Sequence, residues 1–433
     1  MSKERILVLA HGHPDFNLGG GEIAAYNLFK AFKKDPEVES TWFIGRVDRG
    51  NGPTGSFSLR REDEYLWEQS LGNSFLIKAA NAHAVWHNFR AMVAALKPTK
   101  IFAHHYFHLG LEYFRVIKQE LPDAKLIVTL HEYMAICHQQ GQMVKAGSKK
   151  LCYESSLDDC HRCIPAFSRE QFWLREMFIK EHFEFVNHFV SPSEFLRQRY
   201  IAWGIPAEKI TVIENGQDEA EPLPPRPTMS LRNRFGFFGQ INEFKGADLL
   251  LEAITRLTKE QRENIFVEFH GANLEHQSLD FQNKINQLMQ PLIEEGCVRW
   301  AGPYQASQLK SRLSKVDWVL VPSIWWENSP MVIQEAFIYG RPVICANIGG
   351  MAEKVNHGVN GLHFEARNSI DLADTLLEAA TSVGLWETLQ AGIVKPIGYT
   401  QCAKEHLSIV PGVDPTGSQP HDGQSAYGRE LTA

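Results

Sequence analysis

The sequence predicts an α/β protein built from two doubly wound domains that face each other across a cleft. Three observations predict it. The chain has 433 residues, too many for one ordinary core and enough for two of about 200 residues each. Short continuous apolar runs alternate with helically spaced stretches, and uninterrupted apolar strands imply a parallel sheet covered by helices on both faces. A proline-rich stretch interrupts this pattern near the middle, and the pattern then restarts.

Taken in order, the first-half strands are ILVLA (6–10), TWFIG (41–45), KIFAH (100–104), KLIVTL (125–130), HFV (188–190) and KITVI (209–213). Helical spacing fills the gaps, as at 22–32 and 82–96. These elements make a first domain over 1–216, with a polar, cysteine-bearing insertion at 132–165. The stretch QDEAEPLPPRPTMS (217–230) carries four prolines and no apolar period, so 217–232 reads as a stiff linker. The second domain, 233–393, has strands FGFFG (235–239), IFVEFH (265–270), CVRWAG (297–302), DWVLVP (317–322), RPVICA (341–346) and GLHF (361–364). Residues 394–410 read as a helix crossing back to the first domain. Residues 411–433, rich in Gly, Pro, Ser and Asp, read as a tail without order. Ligands of open α/β sheets bind beyond the carboxyl ends of the strands, so the expected site is the cleft.

Bulk composition narrows the function. A hydrophobic fraction of 44%, a charged fraction of 22% and a net charge of −7 suit a soluble protein and argue against nucleic acid as partner. The N-terminal apolar run is too short for a signal-peptide core, and no run reaches the ~18 residues of a membrane span. The expectation is a cytoplasmic protein, with peripheral contact at the inner face of the membrane left open. The aromatic-rich segment 172–189 has mixed charges and reads first as a packed helix, with membrane docking as the alternative.

Two constellations carry the chemistry. LGGGE (18–22) follows the first strand and opens a helix, so Gly19, Gly20 and Gly21 let backbone N–H groups approach an anion. A tight strand-to-helix turn explains the same glycines, and the spacing does not match the G-x-G-x-x-G of nicotinamide sites. The second constellation is SIWWENSPMVIQEAFIYGRPVI (323–344). Ser329 reads as an N-cap, Pro330 as the first helical residue and Gly340 as the terminator. Glu327 then lies in the loop before the helix, and Glu335 about a turn and a half inside it. Carboxylates accept hydrogen bonds from sugar and ribose hydroxyls, and a helix start receives phosphate. A merely solvated surface helix is the plainer reading.

ENSPxxxxEA resembles the E-x7-E motif of the retaining glycosyltransferase family 4. VTLHE (128–132), VSPSEF (190–195), ENG (214–216), FFGQINEFKG (237–246) and IGGMAEKVNHGVNGLHF (348–364) resemble the family's other landmarks, in order, over residues 5–385. The resemblance implies the GT-B fold of two Rossmann-like domains. It also implies transfer of a sugar from a UDP- or GDP-type donor to a glycan or lipid-linked glycan, in cell-surface polysaccharide synthesis. Residue by residue, Glu327 would bind the donor sugar, Glu335 the ribose and Lys245 the leaving diphosphate. The backbone of Asn328, Ser329 and Gly19 to Gly21 would hold the phosphates, and His131 would act beside the sugar. Gln240 stands where the family usually has an arginine, which shifts the charge stabilisation onto Lys245. No metal or cofactor is required by such chemistry. A nucleotide-sugar epimerase of the same architecture and a non-catalytic sugar-nucleotide-binding subunit remain alternatives.

Cys137, Cys152, Cys160 and Cys163 have the spacing C-x14-C-x7-C-x2-C. Four thiolates can enclose a structural zinc ion and give the polar insertion a centre. Free thiols, or a redox pair at Cys160 and Cys163, are the other readings.

Overall fold

A computed structural model describes residues 3–17, 19–50, 52–226 and 231–409. Leu18 of the glycine turn, residues 227–230 of the connector and the tail 411–433 lie outside these.

The first domain is built on an eight-stranded sheet ordered β10-β9-β8-β7-β1-β2-β4-β3. Its strands are β1 (Glu4–Ala10), β2 (Val38–Val47), β3 (Phe57–Arg61), β4 (Glu64–Glu68), β7 (Lys100–His104), β8 (Lys125–Thr129), β9 (His188–Ser191) and β10 (Ile210–Val212). A small ribbon, β5 (Leu71–Asn73) with β6 (Lys78–Ala79), stands apart from it. All neighbours in the large sheet are parallel except β3 with β4. The five strands of β1, β7, β8, β9 and β10 form an all-parallel centre because their side chains are apolar on both faces. Ile6, Val8, Phe102, Ile127 and Val190 pack to one side, and Leu7, Leu9, Ile101, Ala103 and Val128 to the other. The segment 57–79, with its antiparallel pairings, has no counterpart in the sequence reading.

The second domain has six parallel strands in the order β13-β12-β11-β14-β15-β16. They are β11 (Arg234–Gln240), β12 (Phe266–Ala272), β13 (Val298–Trp300), β14 (Trp318–Val321), β15 (Val343–Ala346) and β16 (Gly361–Phe364). The chain between the sheets is not free: Leu223 is buried in the second core, and its N–H donates to the Tyr339 carbonyl at 3.1 Å.

The end of the described chain returns to the first domain. The Gln217 N–H donates to the Ile397 carbonyl at 2.9 Å, and Tyr399 N–H to the Gln217 carbonyl at 3.2 Å. Helix Tyr399–Leu407 then places Cys402 and Ala403 in the cluster with Ala25, Leu28 and Phe32 of helix Gly20–Phe32. Among the described residues no helix is long and apolar enough to cross a membrane.

Helix Arg169–Phe183 packs against the first domain by one face. Phe172, Ile179 and Phe183 are buried, while Trp173, Leu174 and Met177 are about half exposed on the outer side.

Candidate active site

The carboxyl ends of the two sheets supply the site. In the first, three adjacent strands end in histidine: β1 runs into His11, β7 ends at His104, and β8 leads through Leu130 to His131. The three side chains gather. His104 Nδ1 is 3.2 Å from His131 Nε2, and His11 Nε2 is 3.2 Å from Glu22 Oε1. Burial, followed by the neighbouring His11, pushes the His131 imidazole down to about 3. It is therefore a neutral hydrogen-bonding group at physiological pH. Burial also works against ionisation of Glu22, but its bond to His11 and the nearby histidines outweigh this and hold the carboxyl below its ordinary value.

The glycine turn fits against this group. Gly19 is the N-cap of helix Gly20–Phe32. A Cβ on Gly21 would meet His11 at 3.2 Å and His131 at 3.5 Å. On Gly20 it would meet the Met331 sulfur of the opposite domain at 3.1 Å. The absence of side chains is thus what lets this turn lie between the histidines and the second domain.

In the second domain, the loops after β11 and β14 hold each other: Ile324 N–H donates to the Phe244 carbonyl at 2.9 Å. Asn242 Oδ1 accepts from the N–H of Phe244 and Lys245, at 3.0 and 3.1 Å, and so turns Lys245 toward the β14 loop. Lys245 Nζ meets Glu327 Oε1 at 2.6 Å, where Ser323 Oγ and Trp325 Nε1 also donate, at 2.8 and 3.0 Å. Glu327 is almost fully buried. Burial alone would raise its pKa, but the Lys245 charge and these three donors hold it below the ordinary value. Behind the loop, Gly350 N–H donates to the Glu327 carbonyl at 2.8 Å.

The helix after the loop starts later than its sequence suggests. It spans Met331–Ile338, with Pro330 as N-cap, and the Ser329 side chain makes no capping bond. Proline at that position removes a donor rather than satisfying one, and the Ser329 hydroxyl oxygen is buried without a hydrogen-bond partner. Gly340 does lie just past the end, at φ +67°. Glu335 sits on this helix facing partly buried space, and among the described residues no side-chain hydrogen bond or ion pair of Glu335 is found. Burial pushes its carboxyl up to about 7. Gln240 ends β11 and is exposed.

Asn328 joins the two halves. Its Nδ2 donates to the His131 carbonyl at 3.2 Å, and its Oδ1 accepts from Ser193 Oγ at 2.6 Å. Its neighbour Trp326 goes further. Its side chain is buried in the first domain's hydrophobic cluster, 5.0 Å from the Phe195 ring and 5.1 Å from that of Tyr153. Trp326 Nε1 donates to the Cys152 carbonyl at 2.9 Å. Glu327, Asn328, Lys245 and His131 are therefore brought to one place, facing Gly20 and Gly21. Two features the sequence reading missed stand out there. The histidine endings of three neighbouring strands were visible as HGH, HH and LHE, but their adjacency depends on strand order. The role of Trp326 has no local signal.

Cys137, Cys152, Cys160 and Cys163 border one small cavity of about 30 Å3. All seven cysteines are free thiols, and burial pushes that of Cys137 up to about 12. Among the described residues no group of three or more His, Cys, Asp or Glu side chains is placed to hold a metal ion.

Two family models match this chain, Glycosyltransferase Family 4 over residues 18–221 and Glycosyl transferases group 1 over residues 228–384. The chain belongs to glycosyltransferase family 4. The two matches join at the connector between the sheets, and the second contains both Glu327 and Glu335. The chain is 27% identical over 216 residues to a D-inositol 3-phosphate glycosyltransferase of Kribbella flavida, covering 45% of this chain and 48% of that one. Of this relative and two others among the curated proteins it matches, it spans about half the length or less. Among solved structures it is similar in fold to Anabaena HepE in complex with UDP and glucose, with TM-score 0.61 and 17% identity over 93% of this chain and 98% of that one. It is likewise similar to sucrose-phosphate synthase from Thermosynechococcus elongatus, with TM-score 0.66 and 16% identity over 93% and 97%. The fold is GT-B.

Proposed function

We propose that the protein is a retaining glycosyltransferase, moving a sugar from a nucleotide diphosphate to a glycan or lipid-linked glycan during cell-surface polysaccharide synthesis. One observation carries the reading. A buried, ionised Glu327 is paired with Lys245 at the mouth of the cleft, while Glu335, in the helix that follows, has no side-chain partner among the described residues. Glu335 is the acceptor for ribose hydroxyls, and Glu327 is the acceptor for those of the sugar. Lys245 is the cation for the leaving diphosphate, where preformed charge lowers the barrier most. Gly19, Gly20 and Gly21 approach the phosphates from the other side with Asn328 and Ser329, and Gln240 contributes no charge.

His131, being neutral, offers a hydrogen bond beside the anomeric centre and not a positive charge. As the bond to the diphosphate breaks, its departing oxygen takes the proton of the acceptor hydroxyl that attacks from the same face. The protein positions the partners and stabilises charge. UDP is the first donor to test, because HepE is a UDP complex. The exposed Trp173, Leu174 and Met177 support peripheral contact with the inner face of a membrane that carries a lipid-linked acceptor.

The test is thermal shift and donor hydrolysis of the purified protein with UDP-, GDP-, ADP- and dTDP-sugars, alongside Glu335→Ala. One nucleotide class should raise Tm, and the variant should lose most of that response. A protein indifferent to every nucleotide would defeat the donor site.

A further inference from the structure

A cavity of about 550 Å3 opens in the first domain beside the cleft. Its polar lining includes His105 and His108, which follow β7, and Glu132, Gln139 and Gln140, which follow β8. Phe107 contributes an aromatic face. The cavity begins where the site's histidines end. Glu132 directly follows His131, and the His105 ring lies 4.4 Å from that of His11. The size is that of a small-ligand pocket.

Its electrical character is unusual for a cleft that handles phosphorylated molecules. Among the described residues no lysine or arginine lines it. Two guanidiniums are near enough to act on imidazoles at its edge, Arg46 on His108 and Arg175 on His138. Both are engaged elsewhere. Arg46 donates to the Gln69 carbonyl at 2.7 Å and to Asp48 at 2.6 Å, and Arg175 donates to the carbonyls of Ala135, at 2.5 Å, and Met134.

The histidines themselves are uncharged. Burial lowers His105 well below its ordinary value and His108 to about 4. His105 Nδ1 accepts from the N–H of Tyr106 and of Phe107, at 2.9 and 3.0 Å, so its proton sits on Nε2, 3.3 Å from Glu132 Oε1. Burial also raises Glu132 well above its ordinary value, which disfavours its charged form. What remains is a wall of neutral donors and acceptors beside an aromatic face. His105 and His108 hold left-handed backbone, at φ +75° and +58°, a conformation that costs energy outside glycine and is kept where the surroundings enforce it.

We infer that this cavity seats the acceptor, and that the acceptor unit it seats is an uncharged sugar, not a phosphorylated or carboxylated one. Amides and neutral imidazoles pair with hydroxyls, and an aromatic face covers sugar C–H groups. A phosphate or carboxylate entering here would lose its water with no cation to replace it. The inference rests on the glycosyltransferase reading and narrows its substrate.

The experiment uses the full chain with the donor that shifts its Tm. Transfer is followed by mass spectrometry on a panel of neutral methyl hexosides and disaccharides against hexose 6-phosphates, glycerol 3-phosphate and uronic acid glycosides. The expected result is transfer to neutral members alone. His108→Ala and Gln140→Ala should each raise acceptor KM by about tenfold, the scale of one lost hydrogen bond, with the donor-induced Tm shift unchanged. Transfer to the anionic members, no transfer to any neutral member, or an acceptor KM unmoved in both variants would each overturn the inference. Loss of every donor response is a separate result, since it removes the glycosyltransferase reading itself and this inference with it.

Discussion

Glu327 and Glu335 lie on one loop-and-helix unit, yet they stand in opposite electrical states. Glu327 has Lys245 and two further donors and is ionised. Glu335 has burial and, among the described residues, no partner, and its carboxyl rises to about 7. A group raised in the folded state gives stability that is fully present below its unfolded value, near 4.5, and is lost as pH climbs through 7. Glu335→Gln stays neutral throughout. The unliganded variant should therefore match the wild type near pH 4.5 and exceed it at pH 8, by about 1–2 kcal/mol once partial exposure is allowed for. Paired melting curves at the two pH values check this, and a variant that melts no higher at pH 8 contradicts it. Both carboxylates were legible from their spacing, but their states were not. Lys245 is remote in sequence, and only folding brings it to Glu327.

At the scale of elements, the strands of the central sheets could be read from their apolar runs, because a buried parallel strand needs no alternation to announce itself. The hairpin region 57–79 could not. Its β3 is the sheet's edge strand and β5 and β6 stand outside the sheet, Leu59 is largely exposed, and the pattern there carries little apolar contrast. The helix behind the Glu327 loop shows a constraint that no propensity reveals. A Cβ on Gly350 would sit 1.6 Å from the Asn328 carbonyl oxygen, a backbone atom that cannot swing away. Gly350→Ala must displace the Glu327–Asn328 loop or the helix Gly349–Lys354. It should cost more than about 3 kcal/mol and abolish the nucleotide-induced Tm shift. Gly147→Ala is the control: nothing lies within 4 Å of its Cβ position, so the change should be nearly silent. Equal Tm values for the two variants would show that the loop yields freely.

For the molecule as a whole, the two sheets are joined by more than the connector. Glu353 accepts from the N–H of Glu194 and Phe195, both at 2.8 Å, Lys354 pairs with Glu214, and Gln217 Nε2 donates to Gln334 at 2.9 Å. The two doubly wound domains were predictable from length and the order of apolar runs, and GT-B from the resemblance of the motifs, whereas this degree of joining was not. Trp326 dominates it, as a residue of the second half counted in the hydrophobic core of the first. Unfolding either half strips that indole of its surroundings, so each half is penalised when the other opens. Cooperativity is the consequence. Two domains of this size would ordinarily be free to melt in separate steps, but here calorimetry should record a single transition. Trp326→Ala should split it in two, with the first domain melting earlier. A wild-type trace already resolved into two peaks would mean that the halves do not share their fate.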